Sequence, residues 1–212
     1  MEKRKIDKKY ILVTGSAGFI GMHTCVRLLD AGYYVVGIDN LNSYYDVKLK
    51  NERNKILKKY KNFLFIKMDF AKLPDFKKLA KYKFTKIIHL GGQAGVRYST
   101  ENPRAYANAN YIGTLNILEY ARKNKIEHIV LASTSSVYGK NTEKPFLEIH
   151  KTDEPVSIYA ATKKATEVLA HCYSDLFGIR VTVLRFFTVY GSWYRPDMAL
   201  FKFTKNIMQN KQ

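Results

Sequence analysis

Residues 10–21 read Y-I-L-V-T-G-S-A-G-F-I-G, an apolar, partly β-branched run followed by glycines at positions 15, 18 and 21. The run from Tyr10 to Val13 has the length and residue types of a buried strand, and helical spacing begins at Phe19. A strand that turns sharply into a helix is the expectation. Gly15 permits the tight turn, Gly18 lets a ligand approach the backbone, and Gly21 lets the helix lie close on the strand. The open N–H groups and positive end of that helix, around Gly18, Phe19 and Ile20, suit a phosphate.

Similar apolar runs recur at Val35 to Ile38, Phe63 to Ile66, Ile87 to Leu90, Ile129 to Ala132 and Val181 to Phe186, which makes six expected strands. Between them lie stretches with helical periodicity at Phe19 to Ala31, Tyr44 to Lys59, Asp75 to Lys81, Pro103 to Lys123 and Ile158 to Phe177, with one more at Met198 to Met208. Strands alternating with helices predict an α/β fold, a Rossmann-type doubly wound parallel sheet. Asn102 is placed to cap the long fourth helix, with Pro103 at a first-turn position that needs no donor. No internal repeat or low-complexity linker divides the chain, so one main domain is expected.

The second strand ends V-V-G-I-D, which puts Asp39 where a carboxylate accepts both hydroxyls of an adenosine ribose. NAD is thereby preferred to its 2′-phosphorylated form, which would meet like-charge repulsion at Asp39 with no adjoining arginine to offset it. Asp69, after the third strand, either approaches the adenine or caps a turn. In S-I-Y-A-A-T-K-K, Tyr159 and Lys163 are four apart and share one helix face. A free tyrosine is a poor base at neutral pH, and a neighbouring ammonium, with a nicotinamide cation, stabilises its phenolate. The fifth strand ends L-A-S-T-S-S-V-Y-G at the sheet edge where open α/β folds bind ligands. Thr134 is the third catalytic candidate, a relay between substrate and Tyr159, while Ser133, Ser135 and Ser136 offer hydroxyls to substrate oxygens.

The 212 residues carry 36 Lys+Arg against 18 Asp+Glu, a formal charge of +18 that favours anionic ligands. Zinc-finger spacing, a basic zipper and an RNA-binding aromatic pattern are all missing, so no nucleic-acid partner is expected, and the lysines at Met1 to Lys9, Lys48 to Lys61, Lys77 to Lys86 and Lys202 to Lys211 read as solvated faces. Cys25 and Cys172 lack disulfide or metal spacing and read as buried thiols in a reducing compartment. The five histidines, His23, His89, His128, His150 and His171, are isolated, so no metal is expected. The N-terminus passes from a charged leader into the first strand without a signal region or a run of about 18 apolar residues, which points to the cytoplasm and away from a membrane.

On these motifs the chain resembles the extended short-chain dehydrogenase/reductase family of NAD-dependent epimerases and dehydratases, whose members share the Gly-x-x-Gly-x-x-Gly spacing, and within it the UDP-glucuronate 4-epimerases. T-G-S-A-G-F-I-G, Thr134, Tyr159 and Lys163 are common to the broad family. The segments Q-A-G-V-R-Y-S (93–99), S-I-Y-A-A-T-K-K-A-T-E (157–167) and L-R-F-F-T-V-Y-G-S-W-Y-R-P-D-M-A-L-F-K-F-T-K (184–205) look particular to the uronate epimerases. The resemblance implies NAD as a retained cofactor, with Asn40, Asn42, Phe70, Leu90, Gly91, Gly92, Ala132 and Ser133 among its contacts. It implies that Tyr159, aided by Thr134, takes the proton of the sugar 4-hydroxyl as hydride leaves C4, that the 4-keto sugar then turns over, and that Lys163 also holds the nicotinamide ribose. Ser135, Ser136 and Thr188 would surround the uronate carboxylate, Arg195 would contact the substrate, and Gln93, Val96 and Arg97 would line the same cleft.

Related decarboxylases carry a glutamate before Val-Tyr-Gly where this chain has Ser136, which favours retention of the carboxylate. Gly91 and Gly92 replace the usual alanines before Q-A-G, and Ser192 and Tyr194 replace the usual proline and glycine. Residues 1–190 are expected to form the NAD-binding domain with the dyad, and 191–212 the start of a substrate-binding portion that is incomplete, because relatives continue through a C-terminal segment. A homodimer through the helices around Ala105 to Arg122 and Ile158 to Tyr173 is implied. The alternatives are a UDP-glucuronate decarboxylase, another nucleotide-sugar epimerase or dehydratase, or an inactive NAD-binding module.

Overall fold

The computed structural model describes residues 9–211; the rest of the charged leader and residue 212 lie outside the described residues. Six strands form one parallel sheet: β1 (Lys9–Thr14), β2 (Tyr34–Asp39), β3 (Phe63–Lys67), β4 (Lys83–His89), β5 (His128–Thr134) and β6 (Arg180–Phe186). Their order is β3-β2-β1-β4-β5-β6. The chain winds outward from β1 to β3 and then returns to continue on the other side with β4, so the direction of winding reverses between β1 and β4. A crevice opens at such a switch point, at the carboxyl ends of the strands.

The residues of β1 alternate between two cores. Ile11 and Val13 pack with Met22, Cys25 and Leu29 of α1 (Phe19–Asp30) and with Leu57 of α2 (Val47–Leu57). Leu12, fully buried on the opposite face, packs with Ile117, Leu118 and Ala121 of the later helix α5 (Gly113–Lys123) and with Tyr173 of α6 (Ile158–Phe177). Alternation of period two feeding two apolar layers is what a sheet covered on both faces requires.

Several expected helices differ from the observed ones. The stretch Asp75 to Lys81 is a 3-10 segment, Leu73–Leu79, opened by Pro74. The second helix begins only at Val47, where the Asp46 carboxylate accepts the Lys48 N–H at 2.8 Å. A short helix not expected, α3 (Val96–Glu101), follows β4. Asn102 does cap the next one, accepting the Ala105 N–H at 3.3 Å, but α4 (Pro103–Tyr106) runs into a π-helical turn, Ala107–Ile112, before α5. Inside that turn the Asn110 side chain is drawn to Gln93 and Thr162, and Gly113 passes against the Phe70 ring, where a Cβ would collide with it. These sideways contacts take the wider turn over an uninterrupted helix. The last helix, α7 (Ala199–Met208), buries none of its residues.

Burial corrects two further expectations. Cys172 is exposed, and only Cys25 is the buried thiol. Lys50 and Arg53, expected on a solvated face, are 5% and 0% exposed. They share with Asn54 and Leu57 the inward stripe of α2. Among the described residues no helix is long and apolar enough to cross a membrane.

Candidate active site

A cavity of about 740 Å³ lies along the carboxyl ends of the strands. Its first half is the loop after β1. Gly15 has φ +68°, and a Cβ there would stand 2.8 Å from Cα and N of Gly91, so close passage of the two loops demands glycine. Gly18 caps α1 without a side chain to occupy the first-turn N–H groups, which stay open to a ligand. The Asp39 carboxylate accepts the Leu41 N–H at 2.8 Å and the Ala17 N–H at 3.2 Å. A carboxylate has about four lone-pair sites, so acceptor capacity is left for a vicinal diol. Burial raises the Asp39 pKa, while the Leu41 N–H, the Lys50 ammonium, the Ala17 N–H and Arg53 pull it back. Those two cations also offset the like-charge repulsion that was expected to go unopposed at Asp39.

Lys50 donates to the backbone and side-chain oxygens of Asn42, both at 2.7 Å, and Asn42 in turn reaches Gln93. Asp69 both lines the cavity and caps a turn, accepting the Ala71 N–H at 3.0 Å. Phe70, Leu90, Gly91, Gly92, Ala132 and Ser133 continue the wall. Gly91 and Gly92 have a local reason to lack side chains: a Cβ would meet Phe70 at 2.5 Å in the first case and Asn110 Oδ1 at 2.8 Å in the second.

The second half is built on α6, whose N-terminus is capped by Ser157 accepting the Ala160 N–H. Tyr159 and Lys163 project from consecutive turns into the cavity. Burial raises the Tyr159 pKa; a hydrogen bond with Thr134 and the positive field of Arg195 act the other way. Thr134 also pairs with Ser136 through its hydroxyl and the Ser136 N–H, each at 3.2 Å. One turn below Lys163, Glu167 is gripped by Arg185 at 3.1 and 2.9 Å and receives the Ser133 hydroxyl at 2.5 Å. Ser133 therefore points its proton inward, toward Glu167. His89 is a neutral core residue, pushed down to about 3 by burial and then by Lys163, and bonded to Thr14 and Thr114.

Lys163 is drawn down to about 8 by burial, with Glu167 opposing the shift. Its folded pKa lies below the ordinary 10.5, so between pH 8 and 10.5 the unfolded chain holds the proton that the folded chain has released. Stability is then expected to rise with pH across that window, by on the order of 3 kcal/mol from this group. Denaturant titrations of wild type and Lys163→Met at pH 7.5 and 10.5 test this; the same pH dependence in both proteins would mean that Lys163 does not release its proton in that window.

Gln93, Val96, Ser135, Ser136, Thr188 and Arg195 all stand in the cavity wall. Arg97 does not: it is exposed on α3, outside the wall, so it is not brought to the cleft it was expected to line. Arg195 faces the cavity but is held by Asp197, with Nε–Oδ1 at 3.0 Å and NH2–Oδ2 at 2.5 Å, and Tyr44 donates to the same carboxylate at 3.2 Å. Tyr194 packs edge-on against Phe19, ring centres 5.2 Å apart.

Residues 11–212 match the model of the NAD dependent epimerase/dehydratase family. The chain belongs to that family. It is 55% identical over 207 residues to an uncharacterized protein of Methanocaldococcus jannaschii, covering 96% of this chain and 64% of that protein. It is 51% identical over 203 residues to UDP-glucuronate 4-epimerase 6 of Arabidopsis thaliana, covering 95% of this chain and 44% of the relative. The UDP-glucuronic acid 4-epimerase of Bacillus cereus, solved in complex with UDP-glucuronic acid and NAD, superposes with a TM-score of 0.86 at 36% identity, covering 95% of this chain and 64% of that one. The chain thus spans less than two thirds of the length of these relatives.

NAD is the cofactor of this family, and the residues present fit it: side-chain-free space at Gly15 and Gly18, open N–H groups at the start of α1, and a buried carboxylate at Asp39. Sequence reasoning missed Tyr44, Tyr45, Lys50, Asn110 and Met198 in the wall, and Arg53 and Asp197 behind it. One signal was available for α2. Lys50, Arg53 and Asn54 are in helical phase with the apolar Leu57, so the face that buries Leu57 turns these three polar side chains inward with it.

Proposed function

We propose that this chain carries the catalytic part of an NAD-dependent UDP-glucuronate 4-epimerase, with residues 1–190 holding the cofactor and dyad and 191–212 opening the substrate-binding portion. The observation that carries the reading is that Thr134, Tyr159 and Lys163 meet in the wall of one cavity that the phosphate loop and Asp39 also line. NAD, held by the phosphate loop and Asp39, would supply the reversible hydride acceptor for C4 of the sugar. Tyr159 takes the proton of the 4-hydroxyl and gives it back to the 4-keto oxygen, and Thr134 aligns that hydroxyl. Lys163, an ammonium at neutral pH, stands in the same cavity wall as Tyr159 and offers a donor for the nicotinamide ribose. Ser135, Ser136 and Thr188 offer hydroxyl donors to the uronate carboxylate, and Arg195 supplies the cationic end.

A 4-keto uronate is a β-keto acid that loses carbon dioxide readily; at position 136, where related decarboxylases carry a glutamate, this chain has only a hydroxyl, and the nearby Glu167 carboxylate is held by Arg185 and Ser133. The expected product is therefore UDP-galacturonate, with the mass of the substrate unchanged. Incubation of the NAD-loaded chain with UDP-glucuronate, followed by mass spectrometry and chromatographic separation of the epimers, tests this. Loss of carbon dioxide would overturn the epimerase reading, and no conversion by folded, NAD-loaded protein would reduce the claim for this chain to cofactor binding. The same sample tests a homodimer through the helices around Ala105 to Arg122 and Ile158 to Tyr173, along which Tyr111 and Val168 are exposed; a monomeric mass by light scattering would reject it. Free Cys25 and Cys172 support a reducing, cytoplasmic setting.

A further inference from the structure

Arg53 has no exposed surface, and its guanidinium is engaged by neutral groups from three segments. NH1 donates to the Ala17 carbonyl at 3.1 Å and to the Tyr45 hydroxyl at 2.7 Å. NH2 donates to the Trp193 carbonyl at 2.6 Å and to the Tyr194 carbonyl at 3.4 Å. Ala17 belongs to the phosphate loop. Trp193 and Tyr194 lead directly into Arg195, which stands in the same cavity wall as Tyr159.

The same side chain thus binds the backbone of the cofactor end and the backbone of the substrate end. Burying a guanidinium is unfavourable unless its N–H groups are satisfied; NH1 and NH2 make four bonds and Nε none, and a planar fork with donors in fixed, divergent directions can join two strands of backbone where an ammonium cannot. The segment it holds has a strained course: Trp193 has φ +61° although it carries a bulky side chain. Beyond Arg53, the cross-chain anchors of the segment are the Tyr194–Phe19 ring contact, the His23–Ser192 hydrogen bond and the Tyr44–Asp197 hydrogen bond.

We propose that Arg53 is a positioning residue that holds residues 193–195 against the phosphate loop, and so aims Arg195 at the substrate end of the cavity. The substrate role of Arg195 rests on the function proposed above; the clamp itself does not. Trp193 is the sole tryptophan of the chain, so its fluorescence reports this segment without any turnover. In Arg53→Lys, which keeps the charge and loses the fork, acrylamide quenching of Trp193 is expected to rise roughly twofold or more as the segment opens locally, with far-UV circular dichroism unchanged. UDP-glucuronate affinity is expected to fall roughly tenfold as the aim of Arg195 is lost, while NAD affinity changes only a few-fold, because Gly18 and Asp39 keep their own hydrogen bonds.

A folded Arg53→Lys protein with wild-type Trp193 quenching overturns the proposal, whatever its activity. If that variant does not fold, Tyr45→Phe decides. It removes one partner of NH1, and a smaller rise in quenching supports the clamp whereas no change rejects it. Failure of the epimerase assay in wild type would leave the quenching result intact, so the two ideas fail separately.

Discussion

Tyr159→Phe is expected to lower kcat by about 10²- to 10⁴-fold while leaving NAD binding within a few-fold, because a positioned general acid–base contributes an effect of that size. The substitution removes one oxygen. The ring keeps its edge-on packing against Tyr106, 6.0 Å between centres, and α6 keeps its Ser157 cap. Thr134 keeps both of its bonds to Ser136, so no buried hydroxyl is left without a bond. Stability should accordingly move by no more than about 1 kcal/mol. Steady-state rates on UDP-glucuronate and a parallel NAD titration measure both halves. A rate within tenfold of wild type would take Tyr159 out of the proton transfer, and a large loss of NAD affinity would show that the ring, rather than the proton, had been disturbed.

The second large effect is expected at Gly21. A Cβ on this residue would lie on the Gly15 carbonyl oxygen, with the Gly15 carbonyl carbon 2.8 Å and the Ser16 Cα 3.1 Å away, all of them backbone. No side-chain rotation relieves such a contact. Either α1 lifts from β1, disturbing Met22, Cys25 and Leu29 in the core, or the phosphate loop shifts. Gly21→Ala should therefore destabilise the protein by about 3 kcal/mol, the upper part of the range for overpacking, and weaken NAD binding more than roughly tenfold, since the loop it displaces carries the phosphate donors. Gly32→Ala is the matched control. Gly32 has φ +83° and nothing within 4 Å of a built Cβ, so only the left-handed backbone opposes the change. About 1 kcal/mol and an unaltered NAD affinity are expected there. Equal losses in the two variants, measured by denaturant unfolding and cofactor titration, would mean that close packing at Gly21 is not what the glycine provides.

Both predictions concern features that stand in contiguous sequence. The G-S-A-G-F-I-G loop, Asp39 at the end of V-V-G-I-D and the Tyr159–Lys163 spacing were legible because strand, turn and helix periods are local, and because each motif places its groups within one element or one turn. The six strands were legible for the same reason: runs such as Ile129 to Ala132 are apolar on both faces, as strands covered by helices on both sides must be. The hydroxyl-rich end of β5 was also visible, but not the division of labour within it, in which Ser133 turns to Glu167 and Thr134 pairs with Ser136 in the cavity wall.

By itself, then, the sequence determined the alternation of elements, the parallel sheet, the phosphate loop and the face of α6 that bears Tyr159 and Lys163. The tertiary structure decided which polar side chains turn inward. Lys50 and Arg53 read as solvated because lysine- and arginine-rich helices usually are, and only the packing of α2 under the residues 193–195 makes them buried. The π-helical turn at Asn110, the grip of Asp197 on Arg195 and the place of Arg97 outside the wall follow the same rule. The Arg53–Trp193 bond joins residues 140 positions apart, and the Asn110–Thr162 bond joins residues 52 apart. The hydrophobic period records which face of an element is apolar; it carries no record of which distant carbonyl or carboxylate a buried polar group will meet, and that meeting is what makes its burial tolerable.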